Sequence, residues 1–333
     1  MGETENLTGQ ISVVHSSDGW QVVTYVGFFV CQEEAEAYAV EILEEHEGAR
    51  LPAATVLHSS RRIWERVLGE RSMTSTGSNL NMTAKLVPNT SDLNLVWQPL
   101  DIGATRVRNR TMMTAMSVFY GENNILGDRH VDYYRERARG GVGLMITEQQ
   151  AAHRYSKGSF YDGCTAWEKR VIPQYEKLAD AVHAEGARQF VQLFGCGVHD
   201  KGTMIMDEWH PLWGISEIPS VVHREIPLVM GKAELRDIAK GFGEAARNVK
   251  HAGLDGVELH AAHSYLLGQM LSPTYNIRDD EYGGSVANRC RLIVEVAQEV
   301  RAQVGDDFTL GIRLSYEEFV GEAGITPDQA DEQ

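Results

Sequence analysis

The segment His260-Ala-Ala-His263-Ser-Tyr265 sets two imidazoles three residues apart and a phenol two residues further on. Brought together at a strand end, such groups converge on one small polar atom. Imidazole N–H groups can polarise a carbonyl oxygen, and a tyrosine hydroxyl can deliver a proton. A zinc pair and ordinary structural polar residues are the competing readings, though no cysteine or third ligand stands at helpful spacing for zinc. Gln192, followed by Leu193-Phe194-Gly195-Cys196-Gly197-Val198-His199, offers a donor and an acceptor suited to the edge of a heterocycle. A satisfied structural amide reads equally well there. Arg313 stands in the otherwise apolar run Gly311-Ile312-Arg313-Leu314-Ser315. A cation there is costly unless it meets an anion. Glu258 could serve, and so could a cofactor that gathers negative charge.

These residues need a frame that gathers strand ends. From Leu93 onward, short apolar strand candidates recur at Thr111–Met116, Val142–Thr147, Gln189–Phe194, Gly256–Leu259 and Thr309–Leu314. Between them run helical stripes: Ile172, Tyr175, Leu178, Ala179 and Val182 before Gly186; Leu235, Ile238, Phe242, Ala245 and Val249 before Gly253; Leu292, Val296, Val300 and Val304 before Gly305. Apolar residues every three or four positions ending in glycine are amphipathic helices with C-terminal caps. Strand–helix alternation demands parallel strands with helices outside. No Gly-x-Gly-x-x-Gly follows the first strand, which disfavours an open dinucleotide-binding sheet. The expected fold is therefore an α/β TIM-type barrel, whose active site gathers at the C-terminal strand ends. Such a barrel has eight strands, and five are legible. The last residues read as a capping Thr326 followed by Pro327 at the start of a helix. The expectation is an incomplete barrel of about five βα units, C-terminally truncated.

The first residues differ in character. An alternating stretch around Asp18-Gly19 reads as a hairpin within 9–31, and Glu33–Glu47 as an acidic helix. Residues 1–72 are expected to form a small α+β module of no assignable chemistry, 73–92 a linker rich in Ser, Thr and Asn, and 93–333 the barrel portion. The chain of 333 residues carries 31 Lys and Arg against 47 Asp and Glu, a net charge of −16. That balance repels phosphate backbones, so nucleic acid is not an expected partner. No run approaches the ~20 apolar residues of a membrane helix, so no membrane partner is expected. No targeting signal is visible at the acidic N-terminus. Four scattered cysteines (Cys31, Cys164, Cys196, Cys290) fit free thiols in a reducing cytoplasm.

The stretch 93–333 resembles the N-terminal part of the Old Yellow Enzyme family of flavin-dependent oxidoreductases, which includes 2,4-dienoyl-CoA reductases and trimethylamine dehydrogenase. The similarity rests chiefly on His260-Ala-Ala-His263-Ser-Tyr265-Leu-Leu-Gly-Gln-Met-Leu-Ser272-Pro273. It continues in Asn276-Ile-Arg278-Asp-Asp-Glu-Tyr282-Gly283-Gly284-Ser285-Val-Ala-Asn288-Arg289-Cys-Arg291. Asn109-Arg110, His130-Val-Asp-Tyr-Tyr134, Gly140-Gly-Val-Gly143 and Gln192-Leu193 add to it. The resemblance implies FMN at the barrel mouth, with Thr114, Ala115, Met116 and Ser117 lining it through backbone contacts and Gln149 near the second strand end. It implies Gln192 at the pyrimidine edge and Arg313 beside flavin N1 and O2. His260 and His263 would grip the substrate oxygen, and Tyr265 would donate the proton. Tyr282-Gly283-Gly284-Ser285 and Asn288-Arg289 read instead as structural.

The implied activity is hydride transfer from NAD(P)H through FMN to an α,β-unsaturated carbonyl or enoyl-type small molecule, with no metal. Two departures matter: the family pattern Gln-Leu-x-His-x-Gly-Arg has Gly195 in the His position and Val198 in the Arg position. His199 nearby is closer to the trimethylamine dehydrogenase branch. Amine oxidation of that type is the alternative reading, as is an inactive truncated fragment that acts as a binding module. A homo-oligomer is left open.

Overall fold

The computed structural model describes residues 95–156, 163–200, 211–221 and 223–333, together with the backbone of two strands, β1 (Gln10–Ser16) and β2 (Gly19–Tyr25). These two form the antiparallel hairpin expected around Asp18-Gly19, with Ser16 opposite Gly19. The expected acidic helix and linker lie outside the described residues.

The remaining strands build a floor and a wall. β3 (Leu100–Ile102) and β4 (Thr105–Val107) form a second hairpin. Its inward Ile102 and Val107 pack on Leu144, Ile146 and Phe190. Thr105 Oγ1 lies 2.7 Å from Thr309 Oγ1 and donates to the Asp255 carbonyl at 3.0 Å. Because Asp255 and Thr309 stand where strands begin, this hairpin covers the N-terminal end of the wall. The C-terminal end is left for chemistry.

The wall alternates strand and helix. β5 (Met112–Met113) leads to α1 (Asp128–Arg139) and β6 (Leu144–Ala151), followed by the short β7 (Cys164–Thr165). Next come α2 (Ile172–Ala184), β8 (Arg188–Phe194), the two-residue pair β9 (Trp213–Gly214) and β10 (Leu228–Val229), and α3 (Lys232–His251). β11 (Gly256–Ala261), α4 (Leu266–Leu271), α5 (Val286–Val304), β12 (Thr309–Ser315) and α6 (Pro327–Glu332) complete it. The sheet runs β5-β6-β8-β11-β12, each parallel to its neighbour and in chain order. That order is an incomplete α/β barrel. The free edge of β12 is taken by β1, which pairs with it antiparallel.

Helix positions follow the apolar spacing. Tyr175, Leu178, Ala179 and Val182 of α2 are buried, as are Leu235, Ile238, Phe242, Ala245 and Val249 of α3 and Leu292, Val296, Val300 and Val304 of α5. Gly305 ends α5 at φ +71, where a side chain would strain the turn. Thr326 caps α6 by accepting from the Gln329 amide, as its sequence led us to expect. The first strand is shorter than expected: only Met112 and Met113 pair, and the chain leaves the sheet before Thr114. The second strand starts two residues later than expected, at Leu144, and ends four later, at Ala151. Periodicity reports which residues are apolar, whereas these bounds depend on where a neighbour supplies backbone partners.

The structural reading of Asn288 and Arg289 holds. Asn288 Nδ2 donates to the Gly283 carbonyl at 3.0 Å, and Arg289 donates to the carbonyls of Leu271 (2.7 Å) and Gly284 (2.5 Å). This buried guanidinium satisfies the end of α4 and the turn that starts α5. Arg289→Met should therefore lower unfolding stability by about 2–3 kcal/mol, the cost of stranding charge-assisted acceptors. Urea melts would check it, and an unchanged midpoint would remove Arg289 from the frame.

Candidate active site

Alternate residues on a strand face one way, so Glu258 and His260 share a face of β11, and Gly311, Arg313 and Ser315 share one of β12. Register aligns these faces: Gln192 lies opposite Glu258, Glu258 opposite Gly311, and His260 opposite Arg313. Gln192 Nε2 donates to Glu258 Oε1 at 2.7 Å, and Arg313 Nη1 stands 3.9 Å from the same oxygen. Exposure is 3% for Gln192, 2% for Glu258 and His260, and 4% for Arg313. So Glu258 is the anion that answers the buried cation. The answer is partial, since Arg313 Nε and His260 Nδ1 have no hydrogen-bond partner among the described residues. Buried polar atoms left in this state mark a place where a further partner fits, an acceptor in the case of Arg313 Nε.

Beyond β11 the chain turns through His263 and Ser264, whose φ values of +58 and +56 are unfavourable for residues with side chains. Such strain persists only where neighbours hold it. Here Ser315 Oγ accepts from the His263 amide (3.1 Å), and Gln269 Nε2 donates to the Ser264 carbonyl (2.6 Å). The turn carries His263 Nδ1 to 3.1 Å from His260 Nε2. Tyr265 opens α4 with its ring 5.2 Å from that of His260 and edge-on to Phe194 and His199. The two imidazoles and the phenol therefore meet as their spacing suggested. His199, a nearby residue without an assigned role in the sequence, also bonds Ser220 at 2.8 Å and faces Tyr275.

The electrostatics suit donors that stay neutral. Burial, then the His263 ring and Arg313, holds His260 well below the ordinary histidine value. Burial and Arg313 lower His263 from 6.5 to about 4. Burial, then the Cys196 thiol, raises the Tyr265 phenol. At neutral pH all three are uncharged, and Tyr265 retains its proton. The lowered His263 value has a stability consequence. Folded His263 binds fewer protons than unfolded His263 between the two values, so this contribution is complete above pH 6.5 and is lost as pH falls towards 4. The full loss should be about 3 kcal/mol. Urea unfolding across this range should show the fall in the native protein and a shallower one in His263→Gln. Equal slopes would contradict it.

The other expected cofactor residues form a second group. Past β5, Thr114 and Ala115 are half-buried while Met116 and Ser117 are exposed. Ser117 Oγ donates to Gln149 Oε1 at 2.6 Å, and Gln149 lies opposite Gln192 in the sheet. Register thus connects the two groups across β6 and β8. Gln192 spends one amide proton on Glu258, so its availability to a heterocycle is narrower than the sequence implied.

Sequence reasoning passed over Glu148. This carboxylate, 1% exposed, bonds His130 Nε2 through Oε1 at 2.5 Å and accepts the amides of Val118 and Phe119 on Oε2 at 2.7 and 2.9 Å. Cys164 is adjacent, its sulfur 3.9 Å from Oε1. The His130, Glu148 and Cys164 ligand atoms lie within 4.8 Å of one another, a spacing that metals use. Here both carboxylate oxygens are already occupied by N–H donors. The available signal was the polar run Thr147-Glu148-Gln149-Gln150 inside an apolar strand.

Among the described residues, no helix is long and apolar enough to cross a membrane. Residues 95–332 match the family model of the NADH:flavin oxidoreductase / NADH oxidase family. An N,N-dimethylglycine/sarcosine dehydrogenase of Chromohalobacter salexigens is 35% identical over 70% of this chain and 33% of its own length. A multifunctional alkene reductase/demethylase OYE of Caballeronia cordobensis is 31% identical over 66% of this chain and 32% of its own. Among solved structures, 2-naphthoyl-CoA reductase in complex with 2-naphthoyl-CoA superposes with TM-score 0.65 at 29% identity, covering 72% of this chain and 38% of that one. The chain thus spans about a third of the length of each of these relatives.

Proposed function

The chain belongs to the NADH:flavin oxidoreductase / NADH oxidase family, and we propose that it forms the FMN-binding barrel portion of an oxidoreductase that uses NAD(P)H to reduce an α,β-unsaturated carbonyl or enoyl compound. In this reading residues 93–333 carry the chemistry, while 1–72 form an appended module joined through 73–92. The observation that carries the substrate class is the neutral imidazole pair beside a protonated Tyr265. Uncharged donors suit a carbonyl oxygen that gains negative charge only as the reaction proceeds.

The residues fit a flavin. Arg313 presents a buried guanidinium with an unpartnered Nε, and a reduced isoalloxazine edge would supply an acceptor for that nitrogen, which Glu258 does not reach. Gln192 keeps amide capacity beside it, and Thr114–Ser117 with Gln149 would take the ring's other side. FMN, when bound, supplies the capacity to receive and pass on a hydride. The protein's part is to hold the substrate oxygen with His260 and His263, and to keep a proton on Tyr265 Oη for the α-carbon. Phe194 fixes the Tyr265 ring from its edge.

Amine oxidation is the second reading, favoured by the dehydrogenase and demethylase named among the relatives and by His199 beside Tyr265. The purified protein distinguishes them. We expect flavin absorbance after gel filtration, and NADH or NADPH oxidation that depends on added 2-cyclohexenone but not on dimethylglycine. Flavin reduction by dimethylglycine instead would replace the carbonyl reading with the amine one. A colourless protein that takes up no FMN would end both.

A further inference from the structure

β6 is irregular where it meets the site. Ile146 lies opposite Phe190 but Gln149 lies opposite Gln192, so β6 uses one more residue than β8 across this stretch. Thr147 fills the gap with its side chain: Oγ1 accepts the Gln192 amide at 3.3 Å and donates to the Glu148 carbonyl at 2.8 Å. Such a bulge re-aims the side chains around it. Its effect is that two successive residues, Glu148 and Gln149, both hold the segment that follows β5. Gln149 accepts from Ser117, and Glu148 accepts from the amides of Val118 and Phe119.

The Glu148 side chain is itself aimed by a fixed partner. The Gly127 amide donates to His130 Nδ1 at 3.2 Å, so the proton sits on Nε2 and is donated to Glu148 Oε1. The Glu148 amide is held by the Tyr134 hydroxyl at 2.8 Å. Both partners come from α1 and are fully buried. The segment being held is strained: Phe119 has φ +51. Burying a carboxylate in a core is expensive, and apolar residues of similar volume stabilise as well or better. A buried carboxylate whose remaining oxygen is spent on two amides of a strained loop is therefore an arrangement for position.

We propose that Glu148, oriented by His130, is a positioning residue for the cofactor: it fixes the backbone after β5, so that Thr114–Ser117 stand ready as one wall of the flavin site. This rests on the flavin reading above, through the role assigned to Thr114–Ser117. The residues Glu148 and His130 need not touch the cofactor to act.

The test compares Glu148→Gln with Arg289→Met, which weakens the fold elsewhere. In Glu148→Gln the new amide presents N–H groups where acceptors are required. FMN affinity, by fluorescence titration of flavin-free protein, should fall roughly 10–100-fold, the range for lost charge-assisted hydrogen bonds. Exchange of the Val118 and Phe119 amides should accelerate at least about tenfold, while that of Phe242 in α3 stays unchanged. Arg289→Met should lower the melting temperature and leave FMN affinity intact. His130→Gln, which keeps a donor towards Glu148, should lie between native protein and Glu148→Gln. The proposal is overturned if Glu148→Gln binds FMN as the native protein does, or if Arg289→Met weakens FMN equally. Should Glu148→Gln fail to fold, exchange in the native protein decides: protected Val118 and Phe119 amides support the clamp, and loop-rate exchange overturns it. A native protein with no affinity for FMN would defeat the flavin reading instead, which is a separate outcome.

Discussion

Tyr265→Phe is expected to slow reduction of an enone by about 10²–10⁴-fold, the range for removing a positioned general acid, while reduction of the flavin by NAD(P)H stays nearly unchanged. The geometry motivates the asymmetry. The phenol ring lies 5.2 Å from His260 and packs on Phe194, so its hydroxyl is carried beside the donors assigned to the substrate oxygen. Burial raises its pKa, so it enters the reaction protonated across the neutral range. Phenylalanine preserves the ring packing and removes only the hydroxyl, and with it the proton to be donated. Stopped-flow measurement of the two half-reactions separates the outcomes, and equal slowing of both would sink the assignment. His263→Ala should behave differently, weakening binding as well as slowing turnover, because it removes the proposed donor to the substrate oxygen and the partner of His260.

The second large effect is expected at Arg313. Arg313→Met keeps the apolar stem and removes the charge, and FMN retention through gel filtration should fall sharply. Losing one partner of a buried charged contact costs about 2–5 kcal/mol, or some 30- to 5,000-fold in affinity. Whatever flavin remains should be harder to reduce, because a cation beside the ring favours the reduced, more negative form. A flavin-independent readout accompanies this one. Arg313 lowers the pKa of both His260 and His263, so its removal should move both upward in an NMR titration. Unchanged histidine titration would mean that the guanidinium does not face the pair; unchanged flavin content would remove it from the cofactor site. Glu258 keeps the Gln192 amide in the variant, which limits the penalty to the fold.

Much of the frame is legible in the residues themselves. The stripes ending at Gly186, Gly253 and Gly305 became α2, α3 and α5 because an apolar face at helical spacing has one way to be buried. The strand order followed, since each strand–helix unit adds its strand next to the last. The cluster of His260, His263 and Tyr265 was readable because its members are near in the chain, and short separations survive any folding detail.

What the tertiary structure alone decided are the pairings between distant residues. Gln192 with Glu258 and His130 with Glu148 are separated by 66 and 18 positions, and folding also chose Glu258, one of the two anions the sequence offered, for Arg313, 55 positions away. They depend on register, and a slip of one residue would send every such side chain to the opposite face. The extra residue in β6 is of this kind, because nothing in the composition of Thr147-Glu148-Gln149 says which neighbour lacks a partner. Left-handed backbone at Phe119, His263 and Ser264 is likewise invisible in residue type. It exists because surrounding hydrogen bonds outweigh a local preference, and those bonds come from parts of the chain that only folding brings near.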